Sequence, residues 1–299
     1  MNTVQQIRKL ALALIFMFSP TLVLAEPLKV LTSIKPVQAL VFSVMGEEAE
    51  PEVLLPPGTS PHAFTLKPSQ AKQLQNADIV FWIGPQLETS LLAPLQTLGK
   101  NAKVITLLLT PGLDHIDNDG ALDPHVWLSP NNSLKMINLI RDVLVTMDPD
   151  NAKAYTKNAK TARNRMKLLK RKATQLFAPT KDLPYIVQHD GFAYLARDFG
   201  LNPVGFLETV PGHKPGAKHL STLRKTIKRE GVRCLFVEPQ FTSAQAETLA
   251  NELNLIVTEI DLMGTDLTAS PTLSVRILQN IIMFMDKCQY VKPKGEAQK

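Results

Sequence analysis

The sequence has few of the residues and motifs on which several classes of protein depend. Among its 299 residues there are only two cysteines, and aromatic residues make up 6%. It contains no HExxH helix, no GxSxG elbow and no phosphate-cradling glycine loop, so the usual sequence evidence for a zinc protease, a serine hydrolase or a nucleotide-binding enzyme is missing. Aromatic residues also do not interleave with the basic residues of its most basic stretch, which argues against a nucleic-acid partner.

A second long apolar stretch is missing after the N-terminus. Residues 1–25 combine the basic Arg8 and Lys9 with an apolar stretch that Pro20 interrupts and that ends at the small residue Ala25. The apolar stretch is shorter than the ~20 residues that span a bilayer. We therefore interpret the segment as a signal peptide cut after Ala25, with no stable membrane insertion. Its removal takes away two positive charges and lowers the formal charge from +6 to +4.

Export would put both cysteines, Cys234 and Cys288, in an oxidising compartment. An even number of cysteines there favours one disulfide, and two buried free thiols are the alternative. A disulfide would close a long loop late in the chain and contribute roughly 4 kcal/mol as an upper guide from chain entropy. It would also remove both thiols from any metal site.

Short apolar runs alternate with helical stretches through most of the chain. One series extends from about residue 28 to residue 109, and a second from about residue 184 to residue 287. Strands that take turns with helices predict a parallel sheet covered on both faces. The sequence therefore predicts an α/β fold of two (β/α) lobes with mostly parallel sheets, although no residue-level repeat relates them.

One long amphipathic helix is predicted between the two series. Apolar residues recur there at steps of three and four, which puts them on one stripe of a helix. The stripe consists of Ala152, Tyr155, Ala159, Ala162, Met166, Leu169, Ala173 and Leu176. The chain is accordingly divided into a signal peptide (1–25), an N-terminal lobe (26–148), a linking helix (149–179) and a C-terminal lobe (180–299). Because a single helix is stiff, we expect small closing motions.

Three of the six histidines and one carboxylate fall where predicted strands end. His62 and His125 lie in loops that follow strands of the first lobe, and His189 and Asp261 end strands of the second. In open α/β sheets the carboxyl ends of the strands face the ligand crevice. We therefore expect these four side chains to converge on one cleft between the lobes.

The chemistry of this set indicates a metal ion. Three neutral imidazoles with a carboxylate or a water suit zinc, which binds tetrahedrally at Zn–N distances of ~2.0 to 2.1 Å. A proline before both His62 and His125 restricts the backbone there, and Phe64 and Trp127 are expected to form apolar walls. Taken singly, each histidine has an ordinary loop or cap role as an alternative. A secreted zinc hydrolase is another, since three histidines and an open position also form catalytic sites.

Five stretches of the sequence together resemble a known family. They read GTSPHAFTLKPSQAKQLQNADIVFWIG, DPHVWLSP, VQHDGFAYLARDFGL, CLFVEPQF and IDLMG, in that order. They look like the metal-binding periplasmic proteins of ABC importers, specifically the ZnuA-type zinc-uptake branch. The resemblance covers nearly the whole mature chain.

The resemblance implies a fold, a site and a function. Two (β/α) lobes joined by a rigid helix would hold one metal ion in the cleft between them. His62, His125 and His189 would be the imidazole ligands, and Asp261 would occupy the fourth position or lie close to it. The chain would then be a monomeric periplasmic zinc-binding protein, not an enzyme, that hands Zn²⁺ to the membrane permease of an ABC transporter.

Three features of the sequence bear on the metal. Manganese-binding relatives usually carry a glutamate where this chain has His189, which favours zinc over a manganese or iron carrier, or an adhesin, of the same family. Many zinc-uptake members have a long histidine-rich loop, whereas this chain has a short one with His115, Asp117 and Asp119, interpreted as an ordinary polar loop. Pro61 stands where some members have a glutamate. The sequence therefore leaves open whether a carboxylate or a water is the fourth ligand.

Overall fold

The computed structural model describes residues 27–290 except 48, 119, 210, 242 and 243. The predicted signal peptide and Asp119 therefore lie outside the described residues. The described chain contains two four-stranded parallel sheets and one small antiparallel hairpin. This is the α/β fold of two parallel-sheet lobes that the alternation of strands and helices predicted.

The first sheet comes from the N-terminal part of the chain. Its strands are β1 (Val30–Thr32), β2 (Glu52–Val53), β3 (Ile79–Trp82) and β4 (Lys103–Thr106). They lie in the order β2-β1-β3-β4, and all pair in parallel. The helices α1 (Lys35–Met45), α2 (Pro68–Asn76) and α3 (Leu92–Thr97) alternate with these strands.

The fourth strand is shorter than the apolar run predicted. The run continues to residue 109, but β4 ends at Thr106 and Leu107–Leu109 form a 3₁₀ turn. Leu107 and Leu108 are fully buried in this turn, whereas Leu109 is 68% exposed. A buried apolar run does not distinguish a strand from a tight helical turn, which is why the sequence pattern overran the strand.

Two long helices follow a small hairpin in the chain. The hairpin pairs β5 (Asp117–Asn118) with β6 (Ala121–Leu122). The two helices are α4 (Pro130–Met147) and α5 (Ala152–Phe177). The linking helix α5 has 26 residues and connects the parts of the chain that form the two sheets.

The second sheet comes from the C-terminal part of the chain. Its strands are β7 (Pro184–His189), β8 (Asn202–Glu208), β9 (Cys234–Val237) and β10 (Ile256–Glu259). They lie in the order β10-β9-β7-β8, and all pair in parallel. The helices are α6 (Ala193–Phe199), α7 (Ala217–Glu230), α8 (Ala244–Leu253) and α9 (Leu273–Tyr290). None of the helices in the described part of the chain is both long and apolar enough to cross a bilayer.

The buried stripe of α5 follows the predicted positions from Tyr155 to Ala173, whereas the first predicted position, Ala152, is only partly buried. Tyr155, Ala159, Ala162, Met166, Leu169 and Ala173 are all buried. The final predicted position was wrong, because Leu176 is 37% exposed whereas Phe177 is 1% exposed. Phe177 lies four positions after Ala173, and its ring packs on that of Phe199 at a centroid distance of 5.5 Å.

One apolar core connects the two sheets. Helix α5 packs against α1, α4 and α9, and α9 also packs against α1. Buried residues of β1 and β3 belong to the same cluster as residues of β7 and β9. The predicted disulfide is confirmed: Cys234 of β9 is bonded to Cys288 of α9, with their Cα atoms 6.2 Å apart. The lobe boundaries assigned from the sequence stay predictions.

Hydrogen bonds between the two halves reinforce this shared core near the strand ends. The Trp127 indole donates to the carbonyl of Leu262 at 3.1 Å. The Lys35 ammonium donates to the carbonyl of Thr265 at 2.8 Å. The Tyr194 hydroxyl donates to the carbonyl of Asp123 at 2.9 Å. These contacts keep the carboxyl ends of the two sheets facing each other.

Glu88 is a carboxyl group buried within the N-terminal half. It is 0% exposed and accepts hydrogen bonds from the Ser33 hydroxyl and, at 2.9 Å, from the Gly84 amide. Burial raises the pKa of Glu88 to about 7, even though both hydrogen bonds lower it. The ordinary value for this group is 4.5.

Replacing Glu88 is expected to change how stability depends on pH. Between the ordinary pKa of 4.5 and the folded-state pKa of about 7, Glu88 keeps a proton in the folded protein that it has lost in the unfolded chain. Glu88 therefore makes the free energy of unfolding fall as pH rises through that window. Glu88→Gln has no proton to lose and should reduce this fall by about 3 kcal/mol. Urea unfolding of the metal-free protein across the window measures the difference.

The exposed Glu247→Gln serves as the control for the loss of one carboxylate. If Glu88→Gln kept the wild-type dependence on pH, burial of the Glu88 carboxyl would not govern its protonation.

Candidate metal centre

The three histidines reach the cleft from three different elements. His189 is the last residue of β7. His125 directly precedes the 3₁₀ turn Val126–Leu128 that leads into α4. His62 lies in the loop between β2 and α2. His62 follows β2 and His189 ends β7, at the carboxyl ends of parallel strands, where such sheets position ligand-binding groups. His125 follows the small antiparallel hairpin.

Folding brings these rings together. One ring nitrogen from each of His62, His125 and His189 lies within 4.8 Å of the other two. The ring centroids are 5.1 Å apart for His125 and His189, 5.4 Å for His62 and His125, and 5.6 Å for His62 and His189. His125 and His189 are each 4% exposed. Residues separated by more than sixty positions in the chain thus form one cluster.

Two of the three rings each contact a buried carboxylate. Nδ1 of His125 lies 2.8 Å from Oδ1 of Asp123, and Nδ1 of His189 contacts Oε1 of Glu238. An ionised carboxylate only accepts hydrogen bonds, so Nδ1 carries the proton in both rings. Each Nε2 is then left with a lone pair that faces the cluster, which is the usual orientation of a metal-binding imidazole.

The two Nε2 atoms are too close to be left without a positive charge between them. Nε2 of His125 and Nε2 of His189 are 3.1 Å apart. Two lone pairs at that distance repel unless a proton or a metal cation lies between them. Two imidazole nitrogens bound to one tetrahedral zinc at ~2.05 Å are about 3.3 Å apart. The spacing therefore fits one ion of this kind with little movement of either ring.

The electrostatics differ from one imidazole to the next. Burial and the neighbouring His125 and His189 lower the pKa of His62 to about 3, so its ring is neutral and free to bind a metal. Burial also lowers the pKa of His189, but the charge and hydrogen bond of Glu238 outweigh it, and the net pKa is raised. Imidazoles must be neutral to bind a metal, so metal competes with protons at this ring.

The cavity among the rings is small, and apolar side chains form part of its wall. Its volume is ≈ 10 Å³, about the space for one water-sized sphere. The Trp127 ring packs on the His125 ring at a centroid distance of 5.3 Å, and the Phe241 ring packs on the His189 ring at a centroid distance of 5.5 Å. The prediction of an apolar wall is confirmed for Trp127, whereas Phe64 packs against the core cluster. The space suits an ion and not an organic substrate.

Gly191 makes the close approach of two rings possible. A Cβ atom at this position would lie 2.7 Å from Nε2 of His189 and 3.3 Å from Nε2 of His125. Both distances are below ordinary van der Waals contact. The residue at 191 thus lies against the two nitrogens that face the cluster, and any side chain there would displace them.

The sequence patterns predicted only part of the site. Asp123 and Gly191 were missed. Asp123 has a local signal, since it precedes His125 by two residues. Glu238 follows β9, the strand beside β7 in the sheet, so its signal depends on knowing the strand order.

Asp261 lies outside the three-histidine cluster of the described residues. Its Oδ1 accepts hydrogen bonds from the Met263 amide at 2.9 Å and from Nε2 of Gln240 at 3.1 Å, and its Oδ2 accepts one from the Thr265 amide. These three hydrogen bonds occupy most of the lone-pair sites of the carboxylate. Its assignment to the fourth position stays a prediction.

The other three histidines have local partners instead. His115 lies 2.7 Å from the carbonyl of Leu108, and His219 lies 2.9 Å from the carbonyl of Phe206. His213 is exposed and pairs with a carbonyl two residues earlier. The interpretation of the loop around His115 as an ordinary polar loop stays a prediction.

Two α/β lobes with a histidine cluster between them are the architecture of metal-binding solute-binding proteins. The sequence matches the profile of ZnuA, the zinc-uptake complex component A, periplasmic, over residues 30–282. The chain belongs to this family. Its curated relatives are named as zinc-uptake or zinc-binding proteins, so it is a solute-binding protein and not an enzyme.

Two relatives illustrate the range of the family. The high-affinity zinc uptake system protein ZnuA of Brucella abortus (strain 2308) is 29% identical over 303 residues, which cover 87% of this chain and 91% of that protein. The zinc-binding protein AdcA of Streptococcus pyogenes serotype M3 is 31% identical over 254 residues, which cover 77% of this chain and 49% of AdcA. The streptococcal protein is therefore much longer than the part that this chain matches.

Solved structures of relatives have the same fold. A ZnuA deletion mutant with zinc bound superposes with a TM-score of 0.79 at 27% identity, covering 90% of this chain and all of that one. FpvC of Pseudomonas aeruginosa in complex with Mn²⁺ superposes with a TM-score of 0.77 at 24% identity, covering 88% and 98% of the two chains. At the identity of FpvC the likeness concerns the fold alone.

Gly191→Ala is expected to weaken metal binding without unfolding the protein. The added methyl group would push Nε2 of His189 and Nε2 of His125 away from the cluster. Such a displacement is comparable to losing a residue that orients a metal ligand, which costs about 10- to 100-fold in metal affinity. Competition of the purified protein with a chromophoric zinc chelator measures the loss.

Gly216→Ala is the matched control, because a Cβ atom there would contact nothing within 4 Å. Wild-type zinc affinity in Gly191→Ala would show that the ion does not bind between these two nitrogens.

Proposed function

We propose that this protein captures Zn²⁺ in the periplasm, binds it between its lobes through His62, His125 and His189, and delivers it to the permease of an ABC importer. The observation that carries the proposal is the convergence of three imidazole nitrogens within 4.8 Å. The carboxylates behind His125 and His189 support it, because they orient both Nε2 atoms toward the same point. The names of the relatives support the transport role.

Zinc is the ion that this donor set favours. Imidazole nitrogen suits zinc, whereas manganese prefers oxygen ligands. The third donor is His189 and not a carboxylate, and the carboxylates of Asp123 and Glu238 contact Nδ1 atoms instead of the cluster. Copper would bind such a site more tightly still, so selection against copper depends on which metal is available.

The small size of the cavity favours a metal carrier over a zinc hydrolase. A zinc hydrolase needs an exchangeable water and room for a substrate next to the ion. The cavity holds about one water-sized sphere, and Trp127 and Phe241 lie against the histidine rings at its edge. A cavity of this size suits an ion that is bound, carried and released.

His189→Ala is expected to lower zinc affinity more than 100-fold while the protein stays folded. The substitution removes one of three nitrogen donors and also leaves Glu238 without its partner, a larger change than the loss of an orienting group alone. Isothermal titration with Zn²⁺, after elemental analysis of protein purified without added metal, measures both affinity and stoichiometry.

The exposed His213→Ala is the matched control and should bind like the wild type. One zinc per chain in the wild type together with wild-type affinity in His189→Ala would remove His189 from the site.

Delivery to a permease predicts a growth phenotype. A strain that lacks this protein is expected to grow poorly when a chelator limits zinc, because capture then limits uptake. Added Zn²⁺ should restore growth and added Mn²⁺ should not, and the His189→Ala gene should fail to complement the deletion. Restoration by manganese alone would identify a manganese carrier instead.

A further inference from the structure

Gln240 has an amide oxygen that is buried beside the histidine cluster and has no partner. The residue lines the same cavity as His62, His125 and His189. Its Oε1 is a buried acceptor without a hydrogen bond among the described residues. A buried polar atom without a partner is unfavourable, and such an atom at a ligand cavity indicates that the ligand is its partner.

The orientation of this amide follows from its neighbours. Nε2 of Gln240 lies 3.1 Å from Oδ1 of Asp261 and 3.2 Å from Oγ1 of Thr265. The Asp261 carboxylate only accepts hydrogen bonds. If the amide were flipped, two oxygen atoms would face each other at that distance, so the NH₂ group must point to Asp261. Oε1 therefore points away from Asp261.

The backbone of Gln240 is fixed relative to His189. The Phe241 amide donates to the carbonyl of Glu238 at 3.1 Å, which closes a tight turn with Gln240 inside it. Both ends of this turn contact His189, through the Glu238 carboxylate and the Phe241 ring. The backbone at Gln240 thus keeps its position relative to the imidazole of His189.

The charges around the cavity favour a neutral fourth donor. The buried carboxylates of Asp123 and Glu238, 2% and 4% exposed, already balance the two positive charges of a zinc ion held by neutral imidazoles. A third carboxylate bound to the ion would leave a net negative charge in a buried site, which is unfavourable. An amide oxygen provides lone pairs without that charge.

We propose that Oε1 of Gln240 binds the ion at the fourth position and that Asp261 is a positioning residue that orients the amide. This inference rests on the proposed function, since it concerns the same ion. It changes the role of Asp261 from a ligand to the acceptor that holds Gln240 in place.

Zinc affinities of four variants test the proposal. Gln240→Leu removes the oxygen and should weaken binding about 10- to 100-fold. Gln240→Glu keeps an oxygen at the same reach but adds a third carboxylate next to Asp261, so it should also bind zinc less tightly than the wild type. Asp261→Asn should weaken binding less than Gln240→Leu. The double variant Gln240→Leu/Asp261→Asn should be no weaker than Gln240→Leu alone, because Asp261 acts through the amide.

The control is Gln73→Leu, since Gln73 also donates its amide to a carboxylate, that of Glu52 at 2.9 Å, but away from the site. Circular dichroism and thermal unfolding confirm that each variant is folded. The absorption bands of bound Co²⁺ should change in Gln240→Leu and not in Gln73→Leu, which a purely structural role of Gln240 does not predict.

Two results would overturn the inference while leaving zinc capture intact. One is wild-type affinity and an unchanged Co²⁺ spectrum in Gln240→Leu. The other is a loss on Asp261→Asn that is equally large in the Gln240→Leu background, which would make Asp261 a ligand in its own right. Failure of the wild-type protein to bind zinc at all would instead overturn the proposed function.

Discussion

Two imidazole–carboxylate hydrogen bonds control the chemistry of the cleft. His125 donates to Asp123 and His189 donates to Glu238, and each bond sets the tautomer and the angle of its ring. The bonds also fix the two Nε2 atoms 3.1 Å apart. Two nitrogen lone pairs repel each other at this distance. The folded chain therefore favours a cation between the two Nε2 atoms. The close approach requires the glycine at position 191.

The shared core limits how the cleft can change shape. The linking helix α5 packs along much of its length, and the C-terminal helix α9 contacts both α5 and α1. Hydrogen bonds from Trp127 and Tyr194 cross between the halves close to the histidines. A wide hinge opening would have to expose this continuous apolar core. The small closing motions expected from the sequence stay a prediction, and this packing favours them over a wide opening.

Several features of the fold were predictable from residue patterns. Alternation of strands and helices predicted both sheets, and steps of three and four predicted the buried stripe of α5 up to Ala173. The errors occurred where local patterns are ambiguous: a buried apolar run after Thr106 is a 3₁₀ turn, and Phe177 replaces Leu176 in the core. In both places packing decides between conformations that the sequence pattern allows equally.

The sequence by itself determined the fold class, the resemblance to zinc-uptake proteins and the three histidines at strand ends, because each depends on local periodicity or short motifs. Only the tertiary structure decided which groups stand behind those histidines. Glu238 contacts His189 because β9 lies beside β7, and the amide of Gln240 donates to Asp261, which follows β10. These contacts depend on strand order and on side-chain directions across long separations in the chain, and no pattern within a single segment contains that information.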